Sequence, residues 1–219
     1  MRTNYEKPKT KNHILDMTQI KKLNRNLETE QEKFVFTILL YTGLRASELI
    51  HMTRKWIDYK RHFIIIPDEQ ICNCYKCKSN RKYLSKKHAD DLNEHQKLIM
   101  KGYWVPKTIS SARTIPIVPE ARAVLYPFFK EHKTVMEIFP LTQYLNYTLT
   151  KIQKRCKIKL FPHCLRGTFA TMLARKGFNQ FEITDVMGWA DINVAVFYIK
   201  LSGIVLKEAF EKKWSRDLE

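Results

Sequence analysis

The chain has 219 residues, which is enough for one large hydrophobic core or for two small domains. Its formal net charge of +17 favours a polyanionic partner, either nucleic acid or an anionic membrane surface. No apolar run approaches the length of about 18 residues that a bilayer requires, and the first residues lack the apolar region of a signal peptide. We therefore expect a cytoplasmic protein that does not span a membrane.

The first half of the chain predicts a polar arm, three helices and a strand. Residues 1–13 are polar and basic and are expected to form a flexible arm, after which Asp16 or Thr18 is suited to cap a short helix. The segment EKFVFTILLYTG is apolar on all sides, which predicts a buried helix that ends at Gly43. RASELIHMT begins another helix, and KWIDYKRHFIIIP has the β-branched character of a strand closed by Pro67.

The second half of the chain is predicted to be helical after a pair of short strands. WVPKT and ARTIPIV are the two strands, joined by the turn ISS. The predicted helices cover residues 119–131, 141–155, 163–176, 179–188, 191–200 and 203–216. The predicted fold class is therefore mainly α with a small antiparallel β-sheet.

Four motifs occur in a fixed order along this sequence. They are TGLRASEL with Arg45, WVPKTISSARTIPIVP with Lys107, the tetrapeptide HCLR, and Trp189 followed nine residues later by Tyr198. In this order and spacing they resemble the tyrosine recombinase (phage integrase) family over roughly residues 30–200. The resemblance implies the fold of that family's catalytic domain.

The resemblance also implies a site that cleaves DNA. Tyr198 would attack a phosphodiester whose oxygens are held by Arg45 and Arg166, because the planar guanidinium matches phosphate oxygens and stays charged. A free tyrosine has a pKa of about 10, so nearby cations are needed to favour the phenolate. Lys107 is the candidate general acid for the departing 5′ oxygen, and Lys101 is a nearby alternative.

Three further residues complete the expected site. His163 would position the phosphate or move a proton near neutral pH. Trp189 stands where many family members have histidine; its indole N–H can donate a hydrogen bond but cannot transfer a proton. Glu48 lies one helical turn after Arg45 and would orient an arginine or the histidine, unless the two form an ordinary surface ion pair.

These residues imply a site-specific DNA recombinase or integrase. It would cut and rejoin strands through a covalent 3′-phosphotyrosyl intermediate, with no metal or ATP in catalysis, and would bind double-stranded DNA as a homotetramer. Two alternatives are a type IB topoisomerase-like enzyme that relaxes one duplex as a monomer, and a non-catalytic zinc-bearing DNA-binding module. A composition rich in lysine and isoleucine hints at an AT-rich archaeal or viral genome, and hence at a nucleoid-associated protein of a prokaryote or of a virus in its host.

The predicted domain organisation is a basic arm (1–13), a catalytic domain (14–202) and a C-terminal helix (203–219). Family members commonly carry a separate helical domain before the first arginine motif, and Arg45 lies too early for one, so we expect an isolated catalytic domain or a minimal enzyme. The C-terminal segment has an apolar face that would dock on a neighbouring subunit or fold back on its own core. That face comprises Val205, Leu206, Ala209, Phe210 and Trp214.

Residues 71–102 depart from the family pattern and are rich in cysteine. Cys72, Cys74 and Cys77 are close enough in sequence to share one metal ion, and zinc commonly takes three thiolates and a histidine. His88 or His95 is the expected fourth ligand of a structural zinc site; the alternative is three reduced thiols in a polar loop. Basic side chains of the insertion are expected to contact DNA phosphates. They are Lys76, Lys78, Arg81, Lys82, Lys86 and Lys87, whereas Cys156 and Cys164 are not expected to bind the metal.

Overall fold

The computed structural model describes residues 13–203. The α-helices of this range are α1 (Met17–Arg25), α2 (Glu30–Thr42), α3 (Ala46–His51), α4 (Tyr75–Leu84), α5 (Glu94–Met100), α6 (Pro119–Glu131), α7 (Thr142–Cys156), α8 (Pro162–Arg175), α9 (Gln180–Met187) and α10 (Ile192–Ser202). The strands are β1 (Ile57–Asp58), β2 (Phe63–Ile66), β3 (Gln70–Ile71), β4 (Tyr103–Trp104) and β5 (Arg113–Pro116). None of the helices in residues 13–203 has the length and apolar character that crossing a membrane requires.

The strands form two small antiparallel sheets. In the first, β2 lies between β1 and β5, and its register pairs Ile64 with Ile115 and Ile66 with Arg113. In the second, β3 pairs with β4. The two strands predicted around the turn ISS therefore do not pair with each other, because each finds its partner strand earlier in the chain. Lys107 lies in the irregular segment between them.

Local sequence signals account for the helix ends. Asp16 caps α1 by accepting from the backbone of Gln19, whose side chain accepts in return from the Asp16 backbone. Helix α2 ends at Gly43, which has a positive φ of 62° that an L-residue adopts only with strain. The helices predicted after residue 118 lie within two residues of their predicted bounds. The exception is the segment 203–216, which falls outside the described residues after Gly203.

Two groups of buried side chains form the core. The larger surrounds α2, whose side chains at residues 34–40 are buried on every face as its composition predicts. Helix α2 packs against α6, α7 and α8. The one carboxylate in its interior face, Glu32, is paired with Arg155 at 2.9 Å. The smaller group joins α8, α9 and α10, and it includes Tyr198. The predicted nucleophile therefore belongs to a packed three-helix unit.

The cysteine-rich insertion is more ordered than its sequence suggests. It contains α4 and α5, which the polar composition did not predict, and the side chains of Cys72 and Cys77 are buried. His13, expected as the last residue of the arm, packs edge-on against the ring of Phe161, and its carbonyl accepts from the Cys164 thiol. The rest of the predicted arm lies outside the described residues.

Candidate functional site

The first arginine is placed by the turn between α2 and α3. Gly43 ends α2, and Arg45 occupies the position just before the first residue of α3. Its guanidinium donates to the Glu48 carboxylate at 2.6 Å, to the Ser111 hydroxyl at 2.9 Å and to the Gly188 carbonyl at 3.0 Å. A guanidinium has five N–H donors. Contacts within residues 13–203 use three of them, which leaves donors for a bound anion.

Glu48 also pairs with an arginine that the sequence analysis missed. Arg113 donates from both terminal nitrogens to the two Glu48 oxygens, each at 3.1 Å, and from Nε to the Val186 carbonyl at 2.8 Å. The two side chains are almost fully buried, with 5% and 1% of their surfaces exposed. An arginine at the start of the apolar strand ARTIPIV was the available signal. Glu48 is thus part of a buried network and does not form a surface ion pair.

Burial and charge oppose each other at Glu48. Burial alone would raise the pKa of this carboxyl, but the charge of Arg113 and its hydrogen bonds, followed by the charges of Arg45 and Arg166, lower the pKa below its ordinary value. The carboxylate is therefore ionised at neutral pH.

The second arginine is held by the backbone. Arg166 lies in α8 and donates to the carbonyls of Gly43 and Met187, so that it joins the ends of α2 and α9. The face of the Trp189 ring lies 5.7 Å from its guanidinium carbon. Burial, followed by the charges of Arg45 and Arg113, lowers the pKa of Arg166 below its usual value.

Tyr198 lies in α10 and is only 4% exposed. Its ring stacks on that of Trp189, with centroids 5.3 Å apart and planes 10° from parallel. Gly167 of α8 makes room for it, because a Cβ atom at position 167 would lie 3.1 Å from the Tyr198 hydroxyl. The tyrosine thus has a fixed orientation beside Arg166.

One cavity of about 670 Å³ brings together most of the predicted site residues. Its lining comprises His13, Arg45, Lys159, Phe161, His163, Arg166, Gly167, Trp189, Val194 and Tyr198. Lys107 is not part of this lining, and its side chain is exposed. Sequence reasoning did not point to His13 or Lys159, because neither belongs to one of the four motifs.

The electrostatic effect on His163 connects Lys107 to the cavity. Partial burial of the ring, followed by the charges of Arg166, Arg45 and Lys107, lowers the pKa of His163 below 6.5. The imidazole is therefore neutral at physiological pH in the DNA-free protein. Lys107 is close enough to act on this ring, and no such effect is found for Lys101.

The cavity has an excess of positive charge. The guanidiniums of Arg45, Arg113 and Arg166 surround the carboxylate of Glu48, Lys159 lines the cavity, and Lys107 acts on His163 from nearby. An anion that enters the cavity relieves this repulsion and accepts the remaining arginine donors. A phosphodiester is an anion that meets both requirements.

A second cluster of functional side chains lies at the C-terminal end of α3. His51, Cys72, Cys74 and Cys77 bring one imidazole nitrogen and three sulfurs within 4.8 Å of one another. We call these four residues the cysteine–histidine cluster. The prediction of His88 or His95 as the fourth member is wrong. His88 is exposed after α4, and His95 Nε2 instead contacts the carbonyl of Pro106 at 2.8 Å. His51 is far upstream in sequence and comes into contact only through folding.

The geometry of the cluster fits a tetrahedral zinc ion. Zn–S bonds of about 2.3 Å and Zn–N bonds of about 2.0–2.1 Å at a tetrahedral angle give an N···S separation of about 3.6 Å. The observed distances from His51 Nε2 to the sulfurs of Cys74 and Cys77 are 3.5 and 3.4 Å. His51 Nδ1 contacts the Ser47 carbonyl at 2.7 Å, the arrangement that orients a ligating imidazole.

The thiols of the cluster also suit a metal. A hydrogen bond from Cys77, followed by one from His51, lowers the pKa of Cys72, although burial opposes this. Hydrogen bonding to Cys72, followed by burial, raises the pKa of Cys77. The cluster therefore holds a thiolate together with a thiol at neutral pH, and a metal ion that binds would displace the remaining proton. All five cysteines are free, and Cys156 and Cys164 lie outside the cluster.

The basic side chains of the insertion differ in whether they contact other residues of the insertion. Arg81 donates to the carbonyl of Cys72 and to the side chain of Asn73, each at 3.0 Å, so it supports the loop that carries the cysteines. The lysines of this group are exposed. They remain available to an external anion.

Comparisons with known proteins agree with the four motifs. The family model described as the phage integrase family matches residues 13–203. The chain is similar to tyrosine recombinase XerA of Saccharolobus solfataricus, with 24% identity over 85% of this chain and 52% of the relative. It is likewise similar to tyrosine recombinase XerD of Neisseria meningitidis serogroup B, with 24% identity over 85% of this chain and 56% of the relative. The chain thus spans about half the length of these relatives.

Solved structures show the same fold. The Tn1549 transposon integrase in complex with a circular intermediate DNA matches 84% of this chain and 60% of its own, with a TM-score of 0.60 and 23% identity. A crystal structure of XerA recombinase matches 92% of this chain and 63% of its own, with a TM-score of 0.60 and 17% identity. The predicted fold class, mainly α with small antiparallel sheets, is confirmed.

Proposed function

This chain belongs to the phage integrase family, and on that premise we propose that it is a tyrosine-type site-specific DNA recombinase or integrase. The observation that carries the proposal is the cavity in which Tyr198 stacks on Trp189 beside Arg45 and Arg166. A binding module has no use for a buried tyrosine at that place. The named relatives, tyrosine recombinases, give independent support.

Arg45 and Arg166 would hold the two non-bridging oxygens of the scissile phosphate. Their remaining N–H groups point to this role, and the same contacts strengthen as negative charge builds on the pentacoordinate phosphorus. Trp189 would close one side of the phosphate and donate from its indole N–H. Glu48 and Arg113 keep Arg45 oriented without contacting the substrate themselves.

The reaction is an exchange of one phosphate ester for another. The Tyr198 oxygen bonds to phosphorus, the phosphorus–O5′ bond breaks, and the 3′ end remains attached to the protein. Neutral His163 is the candidate to accept the phenol proton, because its lowered pKa leaves a nitrogen lone pair at physiological pH. Lys107 would give a proton to the departing O5′. The residues supply this chemistry without a metal ion, and the ester preserves the energy needed for rejoining.

The cysteine–histidine cluster would hold a structural Zn²⁺. Its donor set of three sulfurs and one nitrogen and its near-tetrahedral spacing support zinc over a hard cation such as Mg²⁺. When bound, the ion would cross-link α3 to the insertion and would not take part in the phosphoryl transfer. The lysines around it would contact DNA phosphates.

Double-stranded DNA is the proposed partner, bound by four copies of the chain. The Tn1549 integrase and XerH recombinase structures that this fold resembles contain DNA, which supports the first part. The basic arm (1–13) would contribute to the grip on DNA and the segment 203–219 to contacts between subunits. The prediction of nucleoid association follows from the same proposal.

The test is formation of a covalent adduct on a nicked suicide substrate by chain loaded with zinc, with no free metal ion in the reaction. Because half of the relatives' length is not represented here, the DNA should come from a pool of sequences, with selection for adducts. We expect a denaturant-resistant protein–DNA adduct with the unmodified chain and none with Tyr198→Phe, which keeps the ring and its stacking. Arg45→Gln and Arg166→Gln should each lower the adduct yield by about 100-fold or more.

The number of subunits separates the proposed function from DNA relaxation by a monomer. An adduct that forms equally well on DNA with one site, with no assembly on two, would contradict the recombinase assignment. Tyr198→Phe protein that still forms the adduct would show that the nucleophile is another residue.

A further inference from the structure

We propose that the metal-loaded cysteine–histidine cluster positions both Arg45 and Lys107, so that DNA cleavage depends on a metal ion that takes no part in the chemistry. His51 is then a positioning residue that acts through α3. The inference rests on the proposed function and goes beyond it, because it assigns to the cluster a control over the active site.

The connection to Arg45 is short and direct. Helix α3 has only six residues, with Arg45 just before its first residue and His51 as its last. At about 1.5 Å rise per residue, their Cα atoms lie on the order of 9 Å apart along the axis. So short a helix is not stable by itself, so the contacts at its two ends fix its position. Glu48 fixes the first end, and the cluster fixes the second.

The His51 ring is tied to its own helix as well as to the cysteines. Its Nδ1 contacts the Ser47 carbonyl one turn earlier, and its own carbonyl accepts from the Gln70 side chain at 2.7 Å. A shift of the ring is therefore transmitted to the helix axis. Glu48 shares the turn of Ser47, so the shift reaches the residue that orients Arg45.

The connection to Lys107 runs through Trp104. The His51 ring stacks on Trp104, with centroids 4.9 Å apart and planes 16° from parallel. Strand β4, which contains Trp104, pairs with β3, and the Cys72 N–H extends that pairing by donating to the Gly102 carbonyl at 3.0 Å. Lys107 follows Trp104 by three residues, across the buried pair Val105 and Pro106. The cluster thus contacts the strand β4, which directly precedes the segment that carries Lys107.

Without a metal the cluster is held by hydrogen bonds that are weaker than bonds to a metal ion. His51 Nε2 lies 3.5 and 3.4 Å from the sulfurs of Cys74 and Cys77. Burial lowers the pKa of His51, but hydrogen bonds to Cys72 and Cys74 outweigh burial and raise this pKa to about 9, so the imidazolium attracts the thiolate of the cluster. A bound metal ion would replace these contacts with four bonds and offset most of the thiolate charge. The relative position of α3 and the lysine segment then depends on the ion.

The experiment uses the full chain loaded with Co²⁺ in place of zinc. Tetrahedral sulfur ligation of Co²⁺ gives intense visible absorption, which reports occupancy independently of activity. The variants are His51→Ala, which removes one ligand, His51→Cys, which restores a set of four, and His88→Ala as the matched control. Each is measured for the cobalt spectrum, far-UV circular dichroism, affinity for double-stranded DNA and single-turnover adduct formation.

We expect His51→Ala to lose the tetrahedral cobalt spectrum and to form the adduct about 100-fold more slowly, the loss that a misplacement of about 1 Å produces. Its circular dichroism should match that of the unmodified chain, and its DNA affinity should stay within about twofold, since His51 is buried and does not itself contact DNA. His51→Cys and His88→Ala should keep both the spectrum and the rate.

A substrate with a sulfur leaving group shows whether Arg45 or Lys107 is displaced in the variant. In a 5′-bridging phosphorothiolate substrate the leaving thiolate needs no proton, so Lys107→Ala should regain nearly full rate on it. His51→Ala should regain only part, because Arg45 is displaced as well. Full recovery of His51→Ala would overturn the link to Arg45, and no recovery would overturn the link to Lys107.

Other outcomes overturn the whole proposal. The first is a His51→Ala protein that loses the cobalt spectrum but cleaves at the normal rate. The second is an unmodified chain that unfolds completely when its metal is removed by a chelator, because the metal would then be a general requirement for folding. Absence of any adduct with metal-loaded unmodified chain is a different result. It contradicts the proposed function, and the cobalt spectrum would still report the metal site.

Discussion

Gly167 shows how one missing side chain shapes the site. It lies in the middle of α8, where alanine would ordinarily be preferred by about 1 kcal/mol. A Cβ atom there would lie 2.8 Å from the Ile14 side chain, 3.1 Å from the Tyr198 hydroxyl and 3.3 Å from the Tyr198 ring. The glycine therefore permits the close approach of α8 to the predicted nucleophile.

We expect Gly167→Ala to lower the rate of adduct formation by about 10-fold, because it displaces the Tyr198 hydroxyl by a few tenths of an ångström and a misplacement of about 1 Å costs about 100-fold. The free energy of unfolding should change much less, since the gain in helix propensity offsets part of the clash. Single-turnover cleavage and urea denaturation on the same preparation measure the two effects.

A double variant provides the control for this prediction. In a Tyr198→Phe background the hydroxyl contact is absent, so Gly167→Ala should cost less unfolding free energy than it does with Tyr198 present. Equal losses of unfolding free energy in the two backgrounds would mean that Gly167 is not needed to accommodate the Tyr198 hydroxyl.

Between elements, Glu48 is the connection that holds α3 to the strand β5. Its two oxygens accept from Arg113 of β5 and from Arg45. Because the Glu48 side chain is only 1% exposed, water cannot replace these hydrogen bonds when the carboxylate is lost. Substitution by glutamine would leave buried guanidiniums without their carboxylate. Removing one member of a buried ion pair costs about 3–5 kcal/mol.

We expect Glu48→Gln to lower the free energy of unfolding by about 3 kcal/mol at neutral pH, measured by urea denaturation. The pKa of Glu48 in the folded protein is lower than its ordinary value of 4.5. The carboxylate therefore stabilises the fold at pH above 4.5, and this contribution is lost as pH falls through the lowered pKa. The difference between Glu48→Gln and the unmodified chain should accordingly shrink below pH 4.5.

Glu30→Gln is the matched control, because Glu30 is exposed and pairs with Lys33 in the same helix. It should change the unfolding free energy by less than about 0.5 kcal/mol. A Glu48→Gln effect no larger than this would show that the buried network does not stabilise the fold.

For the whole molecule, the net charge of +17 predicts DNA binding that weakens steeply with salt. If Lys82 and Lys86 of the insertion each contact a phosphate, replacing both with alanine should make the slope of log K against log salt less negative by about 1.8. Affinity should fall on all DNA sequences alike, because phosphate contacts carry no sequence information. Binding of fluorescent duplex DNA at several salt concentrations measures the slope.

Lys33→Ala should leave that slope unchanged, because its charge is already paired with Glu30 at 2.6 Å. If the double variant keeps the slope of the unmodified chain as well, the lysines of the insertion do not contact DNA.

The sequence by itself determined the fold class, the family and most helix boundaries. Those signals are local: the all-round apolar face of α2, the glycine that ends it, and the Asp16 cap each act within a few residues. The catalytic candidates were found in the same way, as short motifs of characteristic composition and order. Local patterns can be recognised in the sequence because caps, helix ends and apolar periodicity depend on residues that are close to one another in the chain.

Only the tertiary structure decided the partners of those residues. His51 joined three cysteines from a distant insertion, and Arg113 of β5 joined Glu48 of α3. The pair of strands expected around Lys107 gave way to two strands in different sheets. Nothing local distinguishes His51 from His88 as a ligand. Packing brings together side chains that are tens of residues apart, and which ones meet depends on the path of the whole chain.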